Sequence, residues 1–519
     1  MTLSQVSKNR IALAAVSLTA LMFGLEISSV PVILPTLEKV LHAGFKELQW
    51  IMNAYTIACT TVLMAAGTLA DRYGRKRIFI VSLALFGITS LICGLAQDAS
   101  LLIASRFLQG MSGGAMLICQ IAVLSHQFQE GRERSKAFAI WGVVFGIGLG
   151  FGPIIGGMIV LLSNWHWVFL AHVPLAMLTL SLVLGSVAES RDPQAKTLDI
   201  LGIVTLSLSV FALTYFITQG PDLGFSSNAA LAIIAAAIAG FVIFIYVEKR
   251  QPYPMFDFSV FRIRNFSGAI LGSVGMNFSF WPFMIYLPIY FQSGLGYDIV
   301  AAGASLLAYT LPTLVIPPLA ERLSLRYRPR LVIPSGLLTI GAGFILMRYG
   351  SSAGHASWLT MLPGSLLAGI GLGLTNTPVT NTTTGSVPAT RAGMASGIDM
   401  SARLISLAVN IALMGFILLE DILSYLRSAL PGEQDGLRLR SLAEKIASGN
   451  FGSLRDGFPE LSSLDGSGAI VHAALVHGFG MVMLYGSVGV CILAVASFMV
   501  FGPERAVLRE ESGKIGESV

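Results

Sequence analysis

Fourteen apolar runs of membrane-spanning length dominate this chain. They lie near 11–36, 48–70, 78–96, 100–125, 137–161, 166–187, 199–219, 227–247, 266–292, 299–320, 331–349, 357–384, 394–419 and 476–502. A helix crossing a bilayer needs about 20 mostly apolar residues. Backbone in lipid has no water to bond, so runs of this kind can satisfy their own polar groups only as helices. Pro31, Pro153, Pro282, Pro312 and Pro378 fall inside them, which a bundle tolerates because neighbouring helices re-satisfy freed backbone groups. Charged residues make up only 12% of 519, against about 25% in soluble domains. That is too few to cover a soluble body, and the 54% hydrophobic content excludes disorder. The chain reads as an all-α polytopic membrane protein. Its first run follows Lys8 and Arg10 and continues past Glu26 to Leu34, longer than a signal-peptide core, and is expected to be an uncleaved first helix.

Sidedness follows from Lys and Arg in the connections, which concentrate on the cytoplasmic side. With a cytoplasmic N-terminus, 23 of the 33 basic residues fall in cytoplasmic segments, 3 in short external loops, 5 in the long external loop and 2 within the membrane. One missed span would scramble that split, so both termini are expected in the cytoplasm. The net charge of +5 is therefore a matter of loops and not of nucleic acid. Cys59, Cys93, Cys119 and Cys491 lie in apolar runs and read as packing residues. Glu248–Asn265, with Pro252 and Pro254, reads as a cytoplasmic linker. Segment 420–475 is the longest polar stretch and is expected outside, with a short surface helix at Leu437–Ala447. That helix is either a solvated connector or a gate or docking element.

Two junctions resemble each other. Gly67-Thr-Leu-Ala-Asp71-Arg72-Tyr-Gly74-Arg75-Lys76-Arg77 joins the second and third runs, and Pro318-Leu-Ala-Glu321-Arg322 through Arg330 joins the tenth and eleventh. Each places an acid followed by Arg at a helix end, then a basic turn. Repeated junctions are a mark of transporters built from related halves. If each half holds six helices, the seventh and eighth runs are an extra pair. The expected division is 1–190 for an N-terminal six-helix bundle and 191–258 for the extra helices and linker. A C-terminal six-helix bundle with a short cytoplasmic tail would fill 259–519.

Gly67–Arg77 is similar to the signature loop of the major facilitator superfamily. Arg106-Phe-Leu-Gln109-Gly110-Met-Ser-Gly113-Gly114 resembles its helix 4 motif, and Gly148-Leu-Gly-Phe-Gly152-Pro153-Ile-Ile-Gly156-Gly157 its antiporter motif. Trp165-His-Trp167-Val-Phe169-Leu-Ala-His-Val-Pro174 resembles the start of helix 6 in the fourteen-helix drug:proton antiporter family. The resemblance covers nearly the whole chain. It implies a major-facilitator-like fold in the cell (inner) membrane. It also implies a cytoplasmic latch at Gly67, Asp71, Arg72, Gly74 and Arg75 that links the halves and biases one access state. Tight packing at Gly148, Gly152, Pro153, Gly156 and Gly157 would favour exchange over uptake.

Four ionisable residues lie well inside the runs: Glu26, Arg106, Asp399 and Arg403. On insertion scales a charge at the bilayer centre costs about 2.5–3.5 kcal/mol, so such residues face a cavity or a partner. Glu26 can hold and release a proton or attract a cation. It can equally form a structural ion pair, with Arg106 as the partner. Asp399 and Arg403 are four residues apart on one helix face. They are either a local ion pair or a carboxyl that Arg403 keeps charged until cargo or conformation separates them. Arg106 either organises hydrogen bonds near a proton path or anchors structure. Asn53, Tyr55, Gln109, Gln120, Asn277, Trp281, Tyr286, Asn376 and Asn381 could line a cavity or bond between helices. Met22, Met52 and Met276 could add an adaptable apolar surface.

Together with these residues, the resemblance implies a proton-coupled exporter of amphipathic or cationic organic compounds, expected to be a multidrug efflux protein working by alternating access. A dedicated exporter of one endogenous metabolite, siderophore or lipid is the narrower alternative. A transporter-like membrane sensor is the alternative from another class. An enzyme is not expected: His166 and His172 make no metal spacing with Asp or Glu, His472 and His477 read as interfacial, and nothing resembles a nucleophile with its base. The sequence lacks a GxxxxGK[ST] loop, so the expected energy source is the proton gradient, with no cofactor.

Overall fold

The computed structural model describes residues 5–128, 131–191, 199–251, 258–353, 355–387, 392–430, 436–449 and 469–501. Within these the chain is helical. Arg391, the tail beyond 501 and the Asp71 side chain lie outside the description.

The first half comprises α1 (Gln5–Leu41), α2 (Phe45–Tyr73), α3 (Arg75–Gly94), α4 (Ala99–Gln127), α5 (Gly131–Leu162) and a broken span made of α6 (His166–Leu170) and α7 (His172–Ser186). An added hairpin follows, α8 (Ile200–Leu223) and α9 (Asn228–Arg250). The second half comprises α10 (Arg264–Ile289), the bent run α11 (Ile299–Thr310), α12 (Pro312–Val315) and α13 (Pro317–Tyr327), then α14 (Pro329–Ser351), α15 (Trp358–Gly385), α16 (Ala392–Ala429), the short α17 (Gly436–Ser448) and α18 (Ala469–Val500). Among the described residues, twelve helices are long and apolar enough to cross a membrane, with a thirteenth if Ile299–Val315 and Pro317–Tyr327, bent by 46°, form one span. α2 is 29 residues long and carries Gln49, Asn53, Thr56 and Thr60 buried against protein, a composition that suits a helix enclosed by its neighbours.

The halves meet along a reciprocal seam. The fifth helix of the first half, α5, runs against α11 of the second, and α16, the fifth of the second half, runs against α2. Glycines permit the close approach. On α5, a Cβ at Gly148, Gly152 or Gly156 would collide with α1 at Leu21, Ser28 or Ser29. A Cβ at Gly157 would stand 2.7 Å from the Ile299 carbonyl, and one at Gly303 would stand 2.6 Å from that of Pro153. The antiporter-like motif thus serves two contacts at once, binding α1 with one face and the other half with the next. The α8–α9 hairpin leans on the second edge of the seam, where Trp50 of α2 packs on Phe211 and Tyr215, and Phe225 packs on Phe416 of α16.

Both repeated junctions turn on a left-handed residue, Gly74 (φ 118°) between α2 and α3 and Arg328 (φ 70°) between α13 and α14. Gly74 suits that conformation, whereas Arg328 adopts it against the usual steric preference. These junctions mark a basic end of the molecule. Three hydrogen bonds described between the halves lie from the middle toward the opposite end. Thr310 Oγ1 donates to the Gly150 carbonyl at 2.8 Å, Gln292 Nε2 to that of Val32 at 2.8 Å, and Gln49 Nε2 to the Tyr286 hydroxyl at 3.1 Å.

The polar segment expected at 420–475 is shorter than the sequence suggested. α16 carries Glu420 and Asp421 on to Ala429, and α18 begins at Ala469, because pairs such as Asp421–His477 (2.5 Å) let polar residues continue the helices. The surface helix appears as α17. It buries Leu439, Leu442 and Ile446 against α16 and α18. It also reaches the first half, where Glu444 stands 3.6 Å from Lys46 of α2 and 3.6 Å from Arg440. Packing should outweigh this charge contact. Leu442→Ala should cost about 2–5 kcal/mol locally, and Glu444→Gln less than about 1 kcal/mol. Trypsin cleavage at Arg438, Arg440 and Lys445 should therefore accelerate in the first variant and not in the second.

Candidate functional site

One cluster of buried charge lies where α1, α4 and α7 meet. Glu26 and Arg106 are both fully buried, and Arg106 Nη1 donates to Glu26 Oε1. The same nitrogen donates to Gln109 Oε1 at 2.7 Å, and Nε donates to the Ile51 carbonyl at 3.1 Å. Gln109 in turn donates to Ser90 Oγ at 2.9 Å. The guanidinium lies 4.2 Å from the Tyr55 ring centroid, a cation–π contact that adds to its retention in a dry site. The spacing Arg106-x-x-Gln109 puts both side chains on one face of α4, so the helix 4 motif builds this network locally. A buried ion pair gains its Coulomb energy at a large desolvation cost. Glu26 Oε2, Arg106 Nη2 and the Tyr55 hydroxyl are left without hydrogen-bond partners.

His172 completes the cluster; the sequence named it only within the Trp165–Pro174 run and as a histidine without metal spacing. Its Nδ1 is 3.5 Å from Glu26 Oε2. The break at Ala171 starts α7 at His172, at the level of Glu26. The available signal was the position of His172 in the run Trp165–Pro174, opposite an acid of the first helix, but only packing pairs the two.

The second intramembrane pair also forms. Arg403 Nη2 donates to Asp399 Oδ2 at 2.9 Å and Nε to Oδ1 at 3.2 Å. Arg403 further donates to Asn376 Oδ1 and, at 2.9 Å, to Thr380 Oγ1, while Ser273 Oγ donates to Asp399. Every one of these residues belongs to the second half, so the local ion pair is present, tied to α10 and α15. It shares no described contact with Glu26.

The expected cavity residues divide. Asn376 and Gln109 are spent on arginines, Asn277 donates to the Ser273 carbonyl at 3.0 Å, Asn381 donates to Glu321 Oε2 at 2.7 Å, and Tyr286 bonds the Ile411 carbonyl. Trp281 stacks edge-on against Phe280. Met276 sits in the core of the second half, and Met22 and Met52 are buried in the first. Asn53 and Gln120 are fully buried, with neither amide atom hydrogen-bonded. With Tyr55, whose hydroxyl is likewise unbonded, they are the members of that set with buried polar atoms left without a partner. A separate cleft of about 880 Å³ at the opposite end, lined by Arg348, His355, His472 and His477, contains none of the intramembrane charges.

At the α2–α3 turn, the described contacts stay within the first half. Lys76 N–H donates to Glu189 Oε1 at 3.1 Å, Arg77 lies 3.6 Å from Glu189, and Arg75 N–H donates to the Ser190 carbonyl at 2.8 Å. A Cβ at Gly74 would meet the end of the flexible Glu189 side chain at 2.6 Å, so it is the φ of 118° that calls for glycine here.

Comparison with known proteins follows the same lines. The sequence matches the Major Facilitator Superfamily over residues 16–411. It is 31% identical over 408 residues to the multidrug resistance protein Stp of Mycobacterium tuberculosis (strain CDC 1551 / Oshkosh), covering 79% of this chain and 75% of that one. It is 29% identical over 497 residues to the tetracenomycin C resistance and export protein of Streptomyces glaucescens, covering 94% and 90%. It is 27% identical over 410 residues to the quinolone resistance protein NorB of Staphylococcus aureus (strain MW2), covering 78% and 88%. In fold it resembles a bacterial homolog of the human lysosomal transporter Spinster in an inward-facing, unoccupied conformation. The TM-score is 0.61 at 14% identity, covering 95% of this chain and 97% of the other. The human organic anion transporter MFSD10 gives a TM-score of 0.57 at 14% identity, covering 95% and 99%. With its helical bundle, its reciprocal seam and its signature junctions, this chain is an integral membrane transporter, not an enzyme, and belongs to the major facilitator superfamily.

Proposed function

We propose that the protein is a proton-coupled exporter of amphipathic or cationic organic compounds, working by alternating access from a cell membrane with both termini in the cytoplasm. The observation that carries this reading is the buried Glu26–Arg106 pair with its unsatisfied carboxylate oxygen. It is a group able to trade a proton for a change of partner within the half that must move. The similarity to Stp, NorB and the tetracenomycin C exporter supports drug-like cargo. The closure of the seam away from the basic end supports an inward-facing state, with the basic end cytoplasmic by the positive-inside rule.

The test is proton flux in vesicles containing the purified protein while a panel of compounds is added. Cargo movement should drive protons the opposite way, and Glu26→Gln should abolish coupled transport while the folded protein remains in the membrane. Full coupled efflux by that variant would refute the assignment of Glu26. The match over 94% of this chain to an export protein named for one compound favours keeping a narrow-cargo reading, and the same panel decides it by whether few or many compounds respond.

A further inference from the structure

His172 is almost wholly buried, with a side-chain exposure of 4%, and both of its ring nitrogens face carbonyl oxygens. Nδ1 is 3.1 Å from the Val168 carbonyl, and Nε2 is 3.2 Å from the Met22 carbonyl. Carbonyl oxygens only accept, and a neutral imidazole has one N–H and one lone pair. Either neutral tautomer would leave a lone pair pointed at an oxygen. The imidazolium, with two N–H groups, satisfies both carbonyls. Its charge would stand 3.5 Å from Glu26 Oε2, the carboxylate oxygen that Arg106 leaves unbonded. The ring also meets Phe86 edge-on at 5.8 Å between centroids.

We infer that His172 is a second proton-binding site of this carrier, held as the imidazolium in the state described here and paired with Glu26. The inference rests on the proton-exchange reading for its role in transport, but not for the charge of the ring. The titratable and charged groups facing the site are Glu26 from α1, Tyr55 and Cys59 from α2, Cys93 from α3 and Arg106 from α4. Glu26 favours the imidazolium. Arg106 opposes it, and the carboxylate lies between the two cations.

The placement also couples the proton to movement. Met22 and Glu26 are four residues apart and share a face of α1. A shift of α1 relative to α7 withdraws the acceptor of Nε2 and the counter-charge together. The Nε2 proton then leaves, and the neutral ring keeps its Nδ1–H on Val168. Opening the site therefore releases a proton with no change of charge on Glu26.

Nitrogen-15 NMR of the full-length protein in lipid, labelled at histidine, tests the charge directly. The His172 resonance is assigned by its loss in His172→Gln. At neutral pH the ring should show two protonated nitrogens, and Glu26→Gln should turn it neutral. A neutral tautomer in the unsubstituted protein at that pH overturns the inference whether or not transport is proton-coupled. In vesicles, the number of protons moved per cargo should fall by one in His172→Gln, and an unchanged number also overturns it. If the unsubstituted protein moves cargo with no protons at all, the exchange reading fails, while the NMR result still decides whether the site exists.

Discussion

Replacing Arg106 by Ala should eliminate active transport and weaken the N-terminal bundle by about 3–5 kcal/mol, the usual result of removing one partner of a buried ion pair. The loss is large because Arg106 does several things at once. It neutralises Glu26, satisfies the Gln109 and Ile51 oxygens and stacks on Tyr55. Its removal leaves Glu26 with His172 as its remaining charged neighbour and strips the Gln109 and Ile51 oxygens of their donor. The variant should therefore lose coupling. Arg106→Lys should restore only part of the stability, since an ammonium cannot reproduce the planar fork and the ring contact. Thermal unfolding in detergent and efflux from vesicles measure the two effects separately. Wild-type exchange in Arg106→Ala would remove Glu26 and Arg106 from the mechanism and leave them as structure.

The second large effect is expected at the seam. Gly303→Leu should drive the protein out of the state described here, because its Cβ would lie 2.6 Å from the Pro153 carbonyl and 3.0 Å from Ile154 Cα. Those are backbone atoms of the opposing helix and cannot rotate away. Overpacking of this kind costs about 1–3 kcal/mol. Applied to one conformation only, that shifts the balance of access states by about 5–150-fold. The collision arises between α5 and α11, in the region where the halves are hydrogen-bonded, so relief requires that end to part. Gly148→Val meets α1 of its own half instead, 2.6 Å from the Leu21 carbonyl, and should destabilise without a preferred direction. In a background without the four native cysteines, a single reporter cysteine placed at Thr310, which is buried and donates to Gly150 across the seam, should react faster with an impermeant thiol reagent in Gly303→Leu and not in Gly148→Val. Equal reactivity in the two variants would mean that the glycine contact does not hold the seam shut.

Much of this architecture was legible before any coordinates. The apolar runs marked the helices because a backbone without water must bond to itself, and the basic residues marked one end because so few lie elsewhere. Among the described residues, twelve or thirteen helices pass as spans by length and apolarity, close to the fourteen expected. The continuation of α16 through Glu420 and Asp421 was hidden from the sequence. Charge in a sequence looks like loop until the structure shows its partner, here His477. Asp399 and Arg403 could be paired from the sequence because the contact is local, one helical turn apart. The cavity list fared differently: an amide in a spanning helix has to bond something, but sequence does not distinguish a guanidinium on the next helix from a cargo.

The sequence by itself determined the class of fold, the repeat of two halves, the signature junctions and four intramembrane charges, since each depends on composition, period or spacing along one strand of chain. Tertiary structure alone decided that Glu26 meets Arg106 across 80 positions, that His172 joins them, and that the antiporter-like glycines divide between α1 and the opposite half. It also tied the α2–α3 turn to Glu189 of its own half. These contacts join helices distant in sequence, and their register is set by the close approach of glycine-bearing faces. A pattern read along one helix carries no record of which neighbour it will face.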